Sequence, residues 1–310
     1  MVFKEGKIMK LKSNLFELFY LRPCRAYARH FVGDKPADAI YRFLCSLQFW
    51  RIHRFWPNFV HPRRFSEKVW SRMLHDRDPK LTELSDKLRV RDYVASKVGP
   101  DYLIQMLWSG ENPEQIPLDQ LPSKFVIKAT HGCGYNILVR DKEQINPEKM
   151  KLQLTEWLRA NYCNDYLLGV EWGYKYVKPS IILESFIDEN GKAPVDYKFY
   201  CFSGRVEFLT LHFDRFEEHK TRTFDRKFKP HEFTYHFGQW NGECQRPPNF
   251  EAMIQLAESL AEGFDFMRVD LYSTKNRIYF SEFTPYPGGV STKFLPARQD
   301  YALGEKWKNK

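Results

Sequence analysis

The spacing of hydrophobic residues divides the chain into a helical beginning and a mixed remainder. From residue 1 to about residue 60, apolar residues recur at intervals of three and four, the period of a helix that buries one face. The same spacing predicts a helix around 65–73 and another over 86–94, the second ending near Gly99. The first part of the chain is therefore predicted to be mainly helical.

From Phe125 onward, the pattern changes to short segments in which side chains alternate between two faces, as they do in strands. Strands are predicted at 125–128, 136–139, 180–187, 196–202, 205–213, 266–272 and 277–284. Helices are predicted at 147–161 and 249–263, and hairpin turns at Asn190-Gly191 and Ser203-Gly204. Pairs of strands interleaved with single helices indicate an α+β fold rather than a series of parallel strand–helix–strand units.

Composition supports a folded protein and narrows its class. The chain has 310 residues, 43% hydrophobic and 16% aromatic, which is enough for one large domain or two smaller ones. No apolar run approaches the roughly 18 residues of a membrane-spanning helix, and the N-terminus lacks the apolar segment of a signal peptide, so a cytoplasmic location is expected. The six cysteines form no C-x-x-C pair, which indicates reduced thiols rather than a zinc site or a disulfide framework.

The chain is basic, with a formal net charge of +9, and this excess favours a polyanionic or anionic-surface partner without choosing among them. Many of the arginines lie in the first ninety residues, where they alternate with aromatic residues. Two interpretations of this N-terminal region stay open. It is either a solvated helical face with aromatic core contacts or a specific site for an anion or a membrane surface.

The segment from Lys124 to Asn136 combines a short apolar strand, a lysine and a glycine loop. Alternation along the strand places Lys128 where it can reach out of the sheet toward a ligand. The loop that follows contains His131, Gly132 and Gly134, and its glycines allow close approach of backbone N–H groups to an anion. An ordinary hairpin turn explains the same residues equally well, and the segment is neither a Walker loop nor a dinucleotide fingerprint.

Two predicted strands in the middle of the chain carry charged residues. Glu184 lies in an otherwise apolar strand, where it needs a donor such as an adenine amino group or a backbone N–H, unless it lies at the solvent end of that strand. Asp196 and Lys198 share one face of the next strand. They can serve a ribose hydroxyl and a phosphate, or they form an exposed ion pair of small energetic value.

Asp270 and Glu282 lie twelve residues apart across a predicted hairpin, and they are the candidate metal ligands. A connection of odd length places them on one face, whereas an even connection without a bulge separates them. Two carboxylates so close repel each other unless a cation lies between them, and Mg²⁺ bound to nucleotide phosphates meets that need. Arg268 shares the face and can hold a phosphoryl group, although Arg268 and Lys293 can instead form a structural ion network with the carboxylates.

Together and in this order, these segments resemble the ATP-grasp superfamily, in particular its branch typified by the teichuronopeptide-biosynthesis protein. The resemblance runs from Pro62 to Trp307. The matching blocks are Arg64-Phe-Ser-Glu-Lys68, Asp86-Lys87 with Arg91-Asp-Tyr-Val94, Leu121 to Gly134, Asp196-Tyr-Lys-Phe199, Arg268-Val-Asp-Leu-Tyr272 and Glu282-Phe-Thr284.

The resemblance implies an α+β ATP-grasp fold in which two α+β subdomains enclose ATP, preceded by a helical N-terminal region. The expected domains are a basic helical region over residues 1–80 and an ATP-grasp domain over 81–310. Within the second, the nucleotide-binding subdomain is expected at about 121–183, and the hinge and metal-binding subdomain at about 184–310.

The resemblance also assigns expected roles to residues, with ATP and Mg²⁺ as cofactors. The expected nucleotide contacts are Lys128, His131, Gly132, Gly134, Glu184, Phe186, Asp196 and Lys198. The expected metal ligands are Asp270, Glu282 and Thr284, where Thr284 stands in the place of an asparagine found in many ATP-grasp enzymes. The expected catalytic residues are Arg268, Lys198 and Gly288. Further contacts to the acceptor or the acyl phosphate are expected from Tyr286, Gly289, Lys293, Arg215 and Arg222.

The implied activity is an ATP-dependent ligase that joins a carboxylate to an amine through an acyl phosphate in bacterial surface-polysaccharide biosynthesis. The expected partners are small-molecule or polysaccharide-precursor substrates, and nucleic acid is not expected. The basic N-terminal region is a candidate for peripheral contact with the inner membrane surface or with biosynthetic glycosyltransferases. Two alternatives stay open, namely a sugar kinase or glycosyltransferase-type enzyme of the same pathway and a basic module that binds polyanions or membranes.

Overall fold

The computed structural model of the chain describes residues 34–161, 171–188, 194–213, 219–231, 233–235, 238–275, 277–289 and 293–308. The helices are α1 (Asp34–His53), α2 (Phe65–His75), α3 (Pro79–Ser85), α4 (Val90–Val98), α5 (Pro147–Arg159), α6 (Phe250–Ala261) and α7 (Arg298–Lys306). The strands are β1 (Met106–Gly110), β2 (Phe125–Ala129), β3 (Asn136–Val139), β4 (Ile181–Ser185), β5 (Asp196–Phe202), β6 (Arg205–Phe213), β7 (Lys220–Asp225), β8 (Thr234–Tyr235), β9 (Gly238–Gln239), β10 (Phe266–Ser273), β11 (Ile278–Thr284) and β12 (Phe294–Leu295).

The larger sheet has six strands in the order β11-β10-β5-β6-β7-β9. Its neighbouring strands are antiparallel except for the parallel pair β7 and β9. The turn between β5 and β6 has positive φ at both Ser203 (49°) and Gly204 (75°), as a tight hairpin requires, so the predicted turn is confirmed. The other predicted turn, Asn190-Gly191, lies outside the described residues.

Alternation along β5 and β10 gives the larger sheet two faces of different character. One face is apolar and packs on α6, where Phe199 lies 6.4 Å from Phe250 between ring centroids and the thiol of Cys201 contacts the carbonyl of Ala257. On the other face, one end of the two strands is aromatic and the other end is charged. The charged end is the part of the sheet that carries the candidate site.

Helices α2 and α7 cover the aromatic end of that face. Phe65 of α2 lies 5.0 Å from Phe266 of β10, and Trp307 just after α7 stacks on Phe266 at 4.4 Å. The Asp300 carboxylate of α7 accepts hydrogen bonds from the Ser66 backbone N–H at 2.8 Å and from its hydroxyl at 2.6 Å. Segment 65–75, inside the expected N-terminal region, thus packs into the core of the larger sheet.

In the motif Arg64 to Lys68, Glu67 has a structural role at the start of α2. The carboxylate of Glu67 accepts hydrogen bonds from the backbone N–H groups of Asn58, Arg63 and Arg64 at 2.9 to 3.0 Å. Three charge-assisted hydrogen bonds hold the loop before α2 against the first turn of that helix, in the manner of a capping box.

The smaller sheet has four strands in the order β1-β4-β2-β3 and a hydrophobic core of its own. Ile127 pairs with Leu183 across β2 and β4, and their side chains pack with Met150 and Leu154 of α5. The opposite face of this sheet carries Lys128 and Glu184, because the strand period of two places them on the other side.

The predicted α+β fold is confirmed, and each of the seven predicted strands is present with ends within two residues of the predicted ones. Helix α4 begins at Val90 rather than at residue 86, because the Asp86 carboxylate accepts the Leu88 backbone N–H at 2.9 Å before the helix starts. The predictions did not include α3, α7 or the strands β1, β7, β8, β9 and β12. Within the described ranges, no helix combines the length and the apolar character needed to span a bilayer.

Candidate functional site

The phosphate side of the candidate site is built on β2 and β4. The Lys128 ammonium donates to Glu184 Oε2 at 2.6 Å, and the Arg91 guanidinium from α4 donates to Glu184 Oε1 at 2.8 Å. Glu184 is buried, so the alternative that it lies at the solvent end of its strand is wrong. Two cations share this one carboxylate, which leaves positive charge for an anionic ligand.

The charge on Lys128 is stabilised from both sheets. Burial by itself would lower the pKa of Lys128, but attraction to Glu184 and to Tyr272 and Glu282 of the larger sheet outweighs it, so the pKa is raised. Tyr272 and Glu282 lie on the charged face of the larger sheet, so this face is within electrostatic range of Lys128. The site is therefore a crevice between the sheets.

The glycine loop between β2 and β3 lies at the same end of β2. The Lys87 ammonium donates to the carbonyl of Gly132, and Gly134 has a φ of 78° that favours glycine. His131 is buried and its Nε2 lies 2.8 Å from the Trp157 carbonyl, so its imidazole contacts α5, and burial lowers its pKa. The loop is thus a hairpin connection that also exposes backbone near two lysines.

The carboxylate side is built on β10 and β11, where Asp270 and Glu282 are direct cross-strand partners. The Arg268 guanidinium donates to both oxygens of Asp270 at 2.7 Å and lies 3.4 Å from Glu282 Oε1. The Lys198 ammonium contacts Asp270 Oδ2 and lies 2.8 Å from Asp196 Oδ2. The expected pairing of the two carboxylates on one face is confirmed, together with the ion network through Arg268.

Two neighbouring cations, rather than burial, determine the charge state of Asp270. Burial by itself would raise the pKa of the fully buried Asp270, but Arg268 and Lys198 outweigh it and hold the pKa below its ordinary value. Asp196 and Lys198 are buried as well, so the alternative of an exposed ion pair is wrong. Three carboxylates face two cations, and the remaining negative charge favours a further cation.

The donor set fits Mg²⁺ bound together with a nucleotide. Glu282 has a side chain 31% exposed, and Thr284 lies beside it opposite Arg268, so hard oxygen ligands face the crevice. In the described part of the chain, no group of three or more His, Cys, Asp or Glu side chains makes a metal site without help. Phosphate oxygens would supply the missing ligands, and Lys128, Lys87 and the glycine loop are placed to hold those phosphates.

The remaining predicted residues are not all tied to the crevice by a contact. Phe186 follows β4 directly, and Gly288 is exposed in the loop after β11 with a φ of 69°. Lys293 is exposed, and Arg215 lies outside the described residues.

Two of the expected acceptor contacts, Tyr286 and Arg222, occupy different environments. The Tyr286 hydroxyl is buried and accepts the Gly173 N–H at 3.3 Å. Arg222 of β7 pairs with Leu211 of β6, and the neighbouring pair is Thr210 with Thr223. Thr210 and Thr223 lie on the charged face, and successive residues of a strand point to opposite faces. The Arg222 side chain is on the opposite face of the sheet from Asp270, so the prediction that Arg222 contacts the acceptor is wrong.

Several residues near the crevice were not predicted as site residues. Lys87 and Arg91 lie in the segment whose helical spacing was noted, but no spacing signal marks either of them as a ligand contact. Tyr174 belongs to the short 3-10 helix Trp172–Tyr174, and the centre of its ring lies 5.9 Å from the Lys87 ammonium nitrogen. Burial together with nearby Cys133, Glu171 and Glu282 raises the pKa of the Tyr174 hydroxyl.

Glu171 is a fourth such residue, and it packs against the loop after β11. A Cβ atom on Gly289, which has a φ of 51°, would lie 2.6 Å from Glu171 Oε1. Burial raises the pKa of Glu171 to about 7. This carboxyl group therefore exchanges protons near neutral pH beside a loop that borders the crevice.

A sequence model of the family described as TupA-like ATPgrasp matches residues 67–308, which contain both sheets and all the crevice residues. The chain belongs to this family. Helix α1 lies outside the matched residues. No curated protein matches the chain.

Solved structures similar to this family member include two ligases and a synthetase. The D-alanine–D-alanine ligase from Bacillus anthracis complexed with ATP has 13% identity and a TM-score of 0.38, over 67% of this chain and 56% of that one. The ATP-grasp ligase PsnB complexed with a precursor variant, Mg and ADP has 10% identity and a TM-score of 0.39, over 74% and 61%. The N5-carboxyaminoimidazole ribonucleotide synthetase from Thermus thermophilus has 14% identity and a TM-score of 0.38, over 68% and 47%. The chain thus covers about half to three fifths of these proteins, and the family assignment rests on the family match.

Proposed function

We propose that this protein is an ATP-dependent ligase that joins a carboxylate to an amine, with ATP converting the carboxylate into an acyl phosphate. The observation that carries the proposal is the crevice itself. Glu282, the cross-strand partner of Asp270 on one sheet, interacts electrostatically with Lys128 and Lys87 near the other sheet, and Lys87 contacts the glycine loop. Such a reaction depends mainly on charge neutralisation and positioning, and these residues supply both.

Each group in the crevice has a definite part in the proposed reaction. Lys128 and Lys87 bind phosphate oxygens, and Glu184 holds Lys128 in place. Arg268 and Lys198 keep Asp270 ionised and oriented, so that Asp270 and Glu282 are ready to hold Mg²⁺. Bound Mg²⁺ would neutralise charge on the phosphates during transfer.

The setting of the reaction is part of the proposal. The resemblance to the teichuronopeptide-biosynthesis branch supports substrates from bacterial surface-polysaccharide biosynthesis. The supply of ATP supports a cytoplasmic location. Uronic acids, amino acids and nucleotide sugars are the substrate classes to examine first.

The test is a screen of ADP release against carboxylates and amines from these classes. Turnover that requires one carboxylate and one amine together supports a ligase, whereas turnover on a sugar alone indicates a kinase. A reaction that proceeds without ATP contradicts the proposal.

Glu282→Gln is the most direct test of the metal assignment, because Glu282 is partly exposed and makes one long contact, so its loss leaves the fold intact. We expect Glu282→Gln and Asp270→Asn to abolish Mg²⁺-dependent turnover, with an unchanged thermal unfolding midpoint for Glu282→Gln. Exposed Glu305→Gln is the matched control and keeps full activity. Undiminished turnover in both site variants would refute the assignment.

A further inference from the structure

Helix α1 carries apolar residues on two opposite sides. On its inner side, Cys45 and Phe49 are fully buried, and Phe49 lies 5.9 Å from Trp70 of α2 and 5.5 Å from Phe59. These contacts attach α1 to the core that includes the larger sheet. The inner side therefore accounts for the attachment of α1 to the domain.

The outer side of α1 is also apolar, and it is exposed. At ~100° per residue, Ile40, Phe43, Leu47 and Trp50 fall within an arc of about 80°, roughly half a turn away from Cys45 and Phe49. These side chains and the two that follow the helix form a surface called here the α1 outer face. Its exposed fractions are Ile40 43%, Phe43 56%, Leu47 37%, Trp50 41%, Trp56 56% and Val60 68%.

The α1 outer face is a concentrated patch. The described residues include eleven exposed large hydrophobic side chains, and six of them belong to this face. Phe43 and Trp56 lie 6.0 Å apart between ring centroids, so the helix and the segment after it form one continuous surface. A contiguous exposed apolar surface of this kind marks a docking site rather than scattered exposure.

The charge around the α1 outer face has one sign. From Ala39 to Ser66 the chain contains five arginines and no carboxylate. Arg51, Arg54 and Arg63 are exposed, and the Arg54 guanidinium lies 5.6 Å from the centre of the Trp50 ring. The patch therefore combines aliphatic and tryptophan side chains with a rim of guanidinium groups.

We propose that the α1 outer face docks on an anionic lipid bilayer, with its apolar side chains in the boundary between headgroups and acyl chains. Tryptophan, phenylalanine and leucine flanked by arginine are the residues by which interfacial helices bind such surfaces. A second copy of the same face would bring arginines against arginines at a cost in free energy. Nucleic acid would contact the arginines and aromatic rings, but it would leave the aliphatic side chains Ile40, Leu47 and Val60 without an apolar partner.

Docking by this face has a consequence for the whole enzyme. Because the inner side of α1 packs through Phe49 on Trp70, the membrane contact is coupled rigidly to the domain that contains the crevice. The crevice would then work close to the bilayer, where a lipid-linked or membrane-bound substrate is accessible. The docking surface does not depend on which reaction the crevice performs.

The test uses the full chain and sedimentation with vesicles of phosphatidylcholine alone or mixed with phosphatidylglycerol. We expect binding to the anionic vesicles that weakens as ionic strength rises. Phe43→Ser with Trp50→Ser should weaken binding about tenfold or more, because both side chains enter the apolar boundary. The control pair Leu152→Ser with Tyr176→Ser, which are more exposed than Phe43 and Trp50 but lie elsewhere, should bind like the unaltered chain.

The charge contribution is tested separately. Arg51→Gln with Arg54→Gln should reduce binding to anionic vesicles, whereas Lys227→Gln with Lys229→Gln, exposed on another surface, should not. Vesicles that contain brominated lipids should quench the fluorescence of the unaltered chain, and Trp50→Phe with Trp56→Phe should remove that quenching. This second measurement decides the matter even where a serine variant fails to fold.

Specific results would overturn the proposal. These are the absence of binding to anionic vesicles, equal binding by both serine pairs, and quenching that persists without Trp50 and Trp56. A dimer that Phe43→Ser with Trp50→Ser converts to a monomer would assign the face to a second copy. Vesicle binding that appears only after residues 1–33 are removed would mean that this segment, and not a bilayer, occupies the α1 outer face.

Discussion

At the scale of single residues, two buried carboxylates of the crevice are each paired with two cations. Glu184 forms ion pairs with Lys128 and Arg91. Asp270 forms ion pairs with Arg268 and Lys198. Each of these two carboxylates thus keeps one paired cation when its second cation turns toward a phosphate. This double pairing allows buried charges to exist without leaving an uncompensated one.

Lys128→Ala tests the phosphate side. Glu184 keeps its contact with Arg91, so the fold should survive, while ATP binding should weaken about 10- to 100-fold through loss of a charge-assisted contact. Isothermal titration calorimetry measures the change. Lys124→Ala, which removes an exposed lysine paired with Asp188, is the control and should bind ATP normally. Equal ATP affinity in the two variants would remove Lys128 from the site.

Glu171 should make stability depend on pH. Its pKa is about 7 in the folded chain and about 4.5 as an unperturbed group, so between these values the folded state retains a proton that the unfolded state has lost. Stability therefore falls as pH rises from 4.5 to 7, and the loss is complete above pH 7.

Glu171→Gln should remove this dependence. We expect the variant to match the unaltered chain near pH 4.5 and to exceed its free energy of unfolding by about 1 to 3 kcal/mol at pH 8. Urea denaturation at several pH values measures both curves. Parallel curves across the range would show that Glu171 titrates normally.

At the scale of elements, the hairpin of β10 and β11 shows how a small irregularity creates a site. Its connection, residues 274–277, has an even length, which would pair Asp270 with Ser281 and turn Glu282 to the other face. The register shifts between Asp270 and Leu271, and this bulge brings Glu282 opposite Asp270. The odd connection or bulge required by the sequence argument is thus present as a bulge.

The docking of α7 on the segment before α2 is a second point at which elements must fit closely. A Cβ atom on Gly304 would clash with the Arg63 carbonyl oxygen and the Arg64 backbone. Alanine in a helix interior ordinarily stabilises by about 0.5 to 1 kcal/mol relative to glycine. At Gly304 the clash with the Arg63 and Arg64 backbone makes alanine destabilising instead.

We therefore expect Gly304→Ala to lower the free energy of unfolding by about 1 to 3 kcal/mol, as overpacking does in a tight interface. Thermal unfolding followed by circular dichroism measures the change. Glu305→Ala, at the exposed neighbouring position of the same helix, should stay within about 0.5 kcal/mol of the unaltered chain. A stabilised Gly304→Ala variant would mean that α7 does not pack as described.

At the scale of the whole molecule, the two sheets have separate hydrophobic cores. Leu154 is fully buried in the core of the smaller sheet, and Leu209 is fully buried in the core of the larger one. Separate cores allow the two parts to open locally with different free energies. The crevice lies between units that do not share one core.

Leu154→Ala should cost about 2 to 5 kcal/mol through the cavity that it leaves. Amide hydrogen exchange should then accelerate in β2, β3, β4 and α5, while β5, β6 and β10 keep their protection. Leu209→Ala, the matched change in the larger core, should give the reverse pattern. Faster exchange in both sheets with either variant would show that the chain opens as one unit.

Much of the fold was predictable because strands and tight turns are encoded locally. Alternation marked each strand of the central hairpins, and Ser203-Gly204 marked their turn. Strand β1 and helix α7 escaped prediction because neither has a clear period of its own, and each is held by a partner distant in sequence. Gly304 shows this well, since its requirement comes from Arg63 and not from its neighbours in α7.

The candidate site divides in the same way. Alternation alone placed Lys128, Asp196, Lys198 and Arg268 on their strand faces, and the resemblance between ordered motifs indicated the family. Lys87 and Arg91 joined the crevice only because α4 and the segment before it pack beside the smaller sheet. Arg222 was wrongly included because its place in the chain does not reveal which face of β7 it occupies.

The amino-acid order by itself determined the elements, the two-faced strands and the types of charged group available, since these depend on side-chain period and backbone preference over a few residues. The tertiary structure alone decided which of those groups meet. The bulge that faces Glu282 toward Asp270, the approach of the two sheets and the exposure of the α1 outer face all depend on packing between segments far apart in the chain. Contacts of that kind leave no local signal, because each half of such a contact is compatible with many different partners.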